Sequence, residues 1–204
     1  MTLQQMVQAI VTVLAVINPV VCGEIFLALT PKLESRQRRR AAINVAFSIL
    51  IILLGSALIG LKVLKIFGIS LDAFRIVGGV IIAYMGLDML RGGHRLGQAP
   101  PRSGGDTDTR GSLAPLVMFA AGPGTIATVV TLAAVHSRHG LPLTALTASV
   151  VGAMVTFGVL LLVIEVGSRI GTSTQAAITR FMGLIVTSMG MQFVLAGLKA
   201  FMQG

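Results

Sequence analysis

The sequence has no tryptophan, one tyrosine and one cysteine. The lone cysteine, Cys22, excludes an intramolecular disulfide and says nothing of the redox compartment. Its simplest role is that of a small buried apolar residue. With so few aromatics, little material exists for an interfacial Trp/Tyr belt, and orientation has to be read from charge. Charge is scarce as well: 11% of the residues are charged, against about 25% in globular domains. No Lys or Arg precedes Lys32, so the positive n-region of a signal peptide is missing and the first apolar run is expected to stay in the mature protein. The sequence also lacks a His-Glu-x-x-His motif, a Walker loop and an intramembrane Ser-His pair. The usual sequence grounds for an enzyme or an ATPase are therefore missing, and ATP-driven transport would need a separate subunit.

What the chain has is apolar surface: 54% hydrophobic residues and a mean hydropathy of +0.90. Six runs near or above the roughly 20 residues a membrane helix needs lie at about 3–30, 41–61, 73–90, 113–135, 141–166 and 178–200. The fold class they imply is an all-α polytopic membrane protein built as a single transmembrane domain over residues 1–204. Leu61 to Asp72 reads as a turn region punctuated by Phe67-Gly68-Ile69-Ser70. Residues 91–112, rich in Gly, Pro, Ser and Asp, read as a flexible linker.

Two of the runs contain helix breakers. Pro19 lacks a backbone donor and pushes Asn18 out of the α region, so the first run is expected to break near mid-membrane. Gly122-Pro123-Gly124 interrupts the fourth run. Broken backbone in hydrocarbon is tolerated only where protein or a water-filled cavity surrounds it. The breaks occupy matching places: Arg75 follows Pro19 by 56 residues, and Arg180 follows Pro123 by 57. Met85-Gly86 and Met189-Gly190 come after at nearly equal offsets. The chain thus reads as two diverged copies, residues 1–90 and 113–204, joined by the linker.

Three spans per copy make the second copy enter the membrane inverted, the plan of many secondary transporters, whose sites lie near midplane at discontinuous helices. With the N-terminus outside, the cytoplasmic loops hold eleven of the Lys and Arg residues and the other side five, so the positive-inside rule places both termini outside. The net charge of +9 and the run Arg38-Arg39-Arg40 belong to that asymmetry, and no nucleic-acid partner is implied.

Several stretches carry a family resemblance. Ile17-Asn18-Pro19-Val20 continues to Ile25-Phe26-Leu27-Ala28-Leu29-Thr30. Phe67-Gly68-Ile69-Ser70-Leu71-Asp72-Ala73-Phe74-Arg75-Ile76-Val77-Gly78-Gly79 and Gly86-Leu87-Asp88-Met89-Leu90 follow, and then Ala121-Gly122-Pro123-Gly124-Thr125-Ile126. In this order and spacing they resemble the MarC family of bacterial inner-membrane proteins. The resemblance implies six transmembrane helices, a multi-pass inner-membrane location and, through relatives that carry glycine or alanine with protons, transport of small neutral amino acids. The chain departs from the family pattern at Val21, where Gly is usual, and at Glu24 and Met118, where proline is usual.

The half-helices starting after each break expose N–H groups without an intrahelical partner and carry the positive end of a helix dipole. Facing one another, they could hold a carboxylate, while the carbonyls that end the preceding half-helices hold an ammonium group. On this reading the substrate-binding residues are Asn18, Pro19, Val20, Val21, Gly122, Pro123, Gly124, Thr125 and Thr128. Gly122 and Gly124 would let a ligand approach the backbone. Thr125 and Thr128 could equally bond back to their own helix. Glu24, about one turn past the break, is an acid at depth and the candidate for proton coupling. An ionised Glu24 beside the helix start could instead favour a cationic solute.

The remaining polar residues have plainer readings. Glu165 and Asp88 lie near span ends and are expected at the interface. Arg75 and Arg180 are expected to snorkel to headgroups. His136-x-x-His139 has no acidic or cysteine neighbour to complete a metal set, and Gly122-x-Gly124-x-x-Ala127 lacks the βαβ setting of a dinucleotide site. Gly78, Gly79, Gly86, Gly183 and Gly190 read as helix-packing residues. The expectation is a secondary transporter without cofactor or metal, whose partners are the lipid bilayer and a small-molecule substrate, with a homo-oligomer left open. The alternative is a membrane protein with an interaction or envelope-maintenance role, its breaks kept for packing.

Overall fold

The computed structural model describes residues 3–31, 33–92, 113–135, 142–166 and 172–203. The described elements are all helices: α1 Leu3–Ile17, α2 Pro19–Leu29, α3 Ser35–Ile66, α4 Leu71–Leu90, α5 Ala114–Ala120, α6 Pro123–Val135, α7 Leu143–Val166 and α8 Thr172–Gln203. Pairs α1–α2 and α5–α6 each make one interrupted span, so six units are long and apolar enough to cross a membrane. Helices satisfy their own backbone groups, which is what hydrocarbon demands. The linker from residue 93 to 112 and the pair His136 and His139 lie outside the described residues.

The second and sixth spans are longer than their apolar runs. α3 begins at Ser35, six residues before the apolar stretch, and continues to Ile66. The Glu34 N–H donates to the Gln37 side chain at 3.2 Å and fixes its start. At 1.5 Å per residue this helix is about 48 Å long, well beyond a hydrocarbon core of about 30 Å, so its charged ends reach past it. The turn expected over residues 61–72 therefore shrinks to 67–70, because Lys62 and Lys65 are good helix formers and no breaker precedes Gly68. There the chain closes a Schellman motif: Gly68, at φ 67°, donates to Lys65, and the Ile69 N–H donates to the Leu64 carbonyl at 2.9 Å. The Ser70 side chain then accepts from Ala73 N–H at 3.2 Å and starts α4.

The interrupted spans are the central ones. In its most apolar 18-residue window, the α1–α2 span is 61% buried and the α5–α6 span 72%, against 22–39% in the other four. Most of their buried residues, among them Val13, Ile17, Val21, Phe26, Leu116, Phe119 and Val129, belong to one core cluster shared with α3 and α7. The two broken spans touch each other, α1 against α5 and α6, and α2 against α5. Around them, α4 lies along α8 and α3 against α7. Large apolar side chains such as Val11, Phe47, Tyr84, Leu162 and Leu195 point outward, the surface a bilayer would cover.

The α4–α8 contact is close because of glycine. A Cβ at Gly79 would stand 2.6 Å from the Gly190 carbonyl oxygen, and one at Gly190 2.3 Å from the Ala83 nitrogen. A Cβ at Gly86 would stand 2.6 Å from the Gly183 carbonyl oxygen, and one at Gly183 2.8 Å from that of Gly86. The packing role read for these glycines is thus realised backbone against backbone.

Candidate functional site

The first break is one residue wide. Asn18 sits at φ 52° and ψ 74°, the only non-glycine residue at positive φ among those described. Asparagine is among the few side chains that tolerate this left-handed region, and Pro19 forbids the right-handed one to its neighbour. Asn18 still closes α1, its N–H donating to the Leu14 carbonyl at 2.9 Å. It also opens α2: its carbonyl accepts from Cys22 N–H at 3.1 Å and its side-chain oxygen from Val21 N–H at 3.4 Å. Since proline has no N–H, Val20 alone is left ahead of the α2 ladder. Val20 is 40% exposed, whereas Pro19 and Val21 are buried in protein. The Asn18 amide also points toward the Met89 sulfur at 3.9 Å.

The second break, at Ala121 and Gly122, is looser. The first hydrogen bond of α6 is from Ile126 N–H to the Gly122 carbonyl at 2.9 Å. Gly124 and Thr125 therefore lie ahead of the ladder. Both are buried, while Pro123 is exposed. The Thr125 hydroxyl, on a residue only 1% exposed, makes no hydrogen bond. Most buried hydroxyls do make one. Thr128 behaves otherwise, its hydroxyl donating back to the Gly124 carbonyl at 2.9 Å. The two glycines expected to admit a ligand face protein instead. A Cβ at Gly122 would stand 2.5 Å from the Met118 carbonyl oxygen, and one at Gly124 2.8 Å from Ile82. Their small size is used by the break and by α4, respectively.

Glu24 is half-buried on α2, six residues after Asn18. Its carboxylate accepts from the Thr179 hydroxyl at 3.1 and 3.4 Å. Thr179 is 3% exposed and comes from α8, 155 residues away. Sequence reasoning missed it, since nothing in its local pattern distinguishes it from other helical threonines. The acid at depth therefore has a donor from the second half of the chain.

The other charged side chains that make ion pairs or hydrogen bonds fall near the ends of their helices. Glu165 pairs with Arg39, both well exposed. Arg38 reaches back to the carbonyls of Thr30 and Pro31 at 3.0 and 3.3 Å and caps α2 from outside. Arg75 stands 3.7 Å from Asp72 on its own helix. Among the described residues no group of three or more His, Cys, Asp or Glu could hold a metal.

Residues 3–202 match the family model described as MarC family integral membrane protein. The chain belongs to the MarC family. Similar proteins include a UPF0056 membrane protein of Methanocaldococcus jannaschii, 31% identical over 98% of both chains. The UPF0056 inner membrane protein MarC of Salmonella arizonae is 30% identical over 92% of this chain and 91% of its own. The corresponding protein of Citrobacter koseri is 28% identical over 92% and 91%. No solved structure matches. Membership covers nearly the whole chain and so takes in both breaks of this MarC-family protein, together with its own Glu24 and Val21.

Proposed function

We propose that this protein is a secondary transporter of a small polar solute, a small neutral amino acid in the first place, working by alternating access at its paired helix breaks. One observation carries the reading. In the most buried span, a helix start with unclaimed N–H groups coincides with a buried hydroxyl, Thr125, that has no partner. Such a start attracts a carboxylate, and a hydroxyl beside it supplies an additional donor or acceptor.

The inverted repeat belongs to the same proposal. A shift of 104 residues carries Gly79 onto Gly183 and Gly86 onto Gly190. It therefore exchanges the Gly79–Gly190 contact with the Gly183–Gly86 contact, as a two-fold axis between α4 and α8 would. The same shift carries Val20 onto Gly124. Gly124 is packed against Ile82, whereas Val20 is 40% exposed. An unequal pair of breaks is what one end-state of an alternating cycle presents. We place the protein in the bacterial inner membrane with both termini outside, as the Lys and Arg asymmetry directs.

Glu24 is the proposed proton carrier, with Thr179 as its positioning partner. Purified protein in liposomes should accumulate glycine, alanine or serine when a proton gradient is imposed. Glu24→Gln should abolish gradient-driven accumulation and spare exchange, because the amide keeps the size and loses the titration. If the same change weakens binding itself, Glu24 contacts a cationic solute instead. The packing of Gly122 and Gly124 against protein favours the second reading, an interaction or envelope role. That reading gains if no amino acid on the panel moves.

A further inference from the structure

A groove of about 540 Å³, largely apolar with four polar side chains in its wall, lies between α1 and α8, away from the breaks. Ligand pockets fall in this size range, and the space far exceeds the roughly 15 Å³ that holds one water. Its polar lining is Gln8 and Thr12 from α1 and Ser188 and Gln192 from α8. Each pair is spaced by four residues, so each lies on one helix face. Two carboxamides and two hydroxyls thus gather from opposite ends of the chain within otherwise apolar spans. Lipid tails offer these groups no hydrogen bonds. The two hydroxyls donate to their own helices, Thr12 to the Gln8 carbonyl at 2.7 Å and Ser188 to that of Leu184 at 2.9 Å. That leaves their oxygens as acceptors, while both carboxamides keep donors and acceptors. No ionisable side chain lines the groove.

Packing contacts connect the groove to the start of α6. Met189 lines it and packs on a small separate cluster of Val16, Ile82 and Val186. Ile82 in turn meets Gly124, whose missing Cβ would stand 2.8 Å from it. One apolar layer therefore separates the groove from the start of α6. We infer that this groove is a water-filled vestibule for an uncharged or zwitterionic polar solute, and that the layer around Ile82 is the gate between it and the helix break. The inference rests on the transport reading and adds its route of entry.

Accessibility of single cysteines tests it. In a Cys22→Ala background, Thr12→Cys and Ser188→Cys should react with a charged, membrane-impermeant methanethiosulfonate at least ten times faster than Val11→Cys and Leu195→Cys, which face outward from the same two helices. Alanine or glycine in the bath should slow the groove positions. Thr125→Cys should be inert until Ile82→Ala is added, and then react. Rates at Thr12 and Ser188 as slow as at Val11 would overturn the vestibule, as would disulfide cross-linking of Thr12→Cys between copies, which marks a dimer interface. Labelling rates need no transported solute. A failed uptake assay leaves a fast groove standing, and a slow groove defeats the vestibule even where uptake succeeds.

Discussion

Asn18 concentrates two demands that few residues meet together. It must adopt a left-handed conformation before a proline, and its side chain must cap α2. Alanine loses both, at about 1–2 kcal/mol for the backbone and about 1 kcal/mol for the cap. Glycine keeps the conformation and loses little of the cap's value. Asn18→Gly should therefore melt close to wild type in detergent, and Asn18→Ala clearly below it. Glu24 and Thr179 form a second local unit. Glu24→Ala and Thr179→Val, each of which removes the hydrogen bond, should be non-additive in the same melting assay, with a coupling of about 0.5–3 kcal/mol as expected of residues in contact. Glu24 was legible because an acid in an apolar run stands out. Thr179 was not, since a threonine is unremarkable in a membrane helix and its role exists only across 155 residues of chain.

At the scale of elements, the α4–α8 pair is held by backbone approach. A methyl at Gly190 meets the Ala83 nitrogen, which cannot yield without moving a helix. Gly190→Ala should cost about 1–3 kcal/mol, the usual range for overpacking. Gly55 and Gly158 make a control, because a Cβ there meets nothing within 4 Å. Gly158→Ala should gain about 0.5–1 kcal/mol from helix propensity. The six spans and both breaks could be read in advance, since apolar length and proline act locally. The true ends of α3 and α8 could not. Hydropathy marks the membrane-embedded part of a helix, while capping and the absence of a breaker decide where it stops. The groove between α1 and α8 was equally hidden. Gln8 and Gln192 are isolated amides in sequence, and only the antiparallel meeting of α1 with α8 brings them to one place.

At the scale of the whole molecule, the two interrupted spans are the most buried of the six described spans and lie against each other. Burying breaks at the centre is costly unless they serve a site or a packing need. Reporter fusions should place both termini outside and residues 91–112 in the cytoplasm, and a cytoplasmic C-terminus would overturn the orientation. Thr125 distinguishes a site from packing. Its hydroxyl is buried without a partner, so valine, of nearly the same shape, removes an unsatisfied group and should leave the fold as stable or more so. A loss of function in Thr125→Val then reports a lost solute contact. The decisive measurement is counterflow of labelled alanine into liposomes preloaded with unlabelled alanine. We expect a transient overshoot with wild type, a fall of at least tenfold in Thr125→Val, and no change in Thr131→Val, whose unpartnered hydroxyl lies further along α6. An overshoot untouched by Thr125→Val, or none for any amino acid on the panel, would contradict a transport site at the second break.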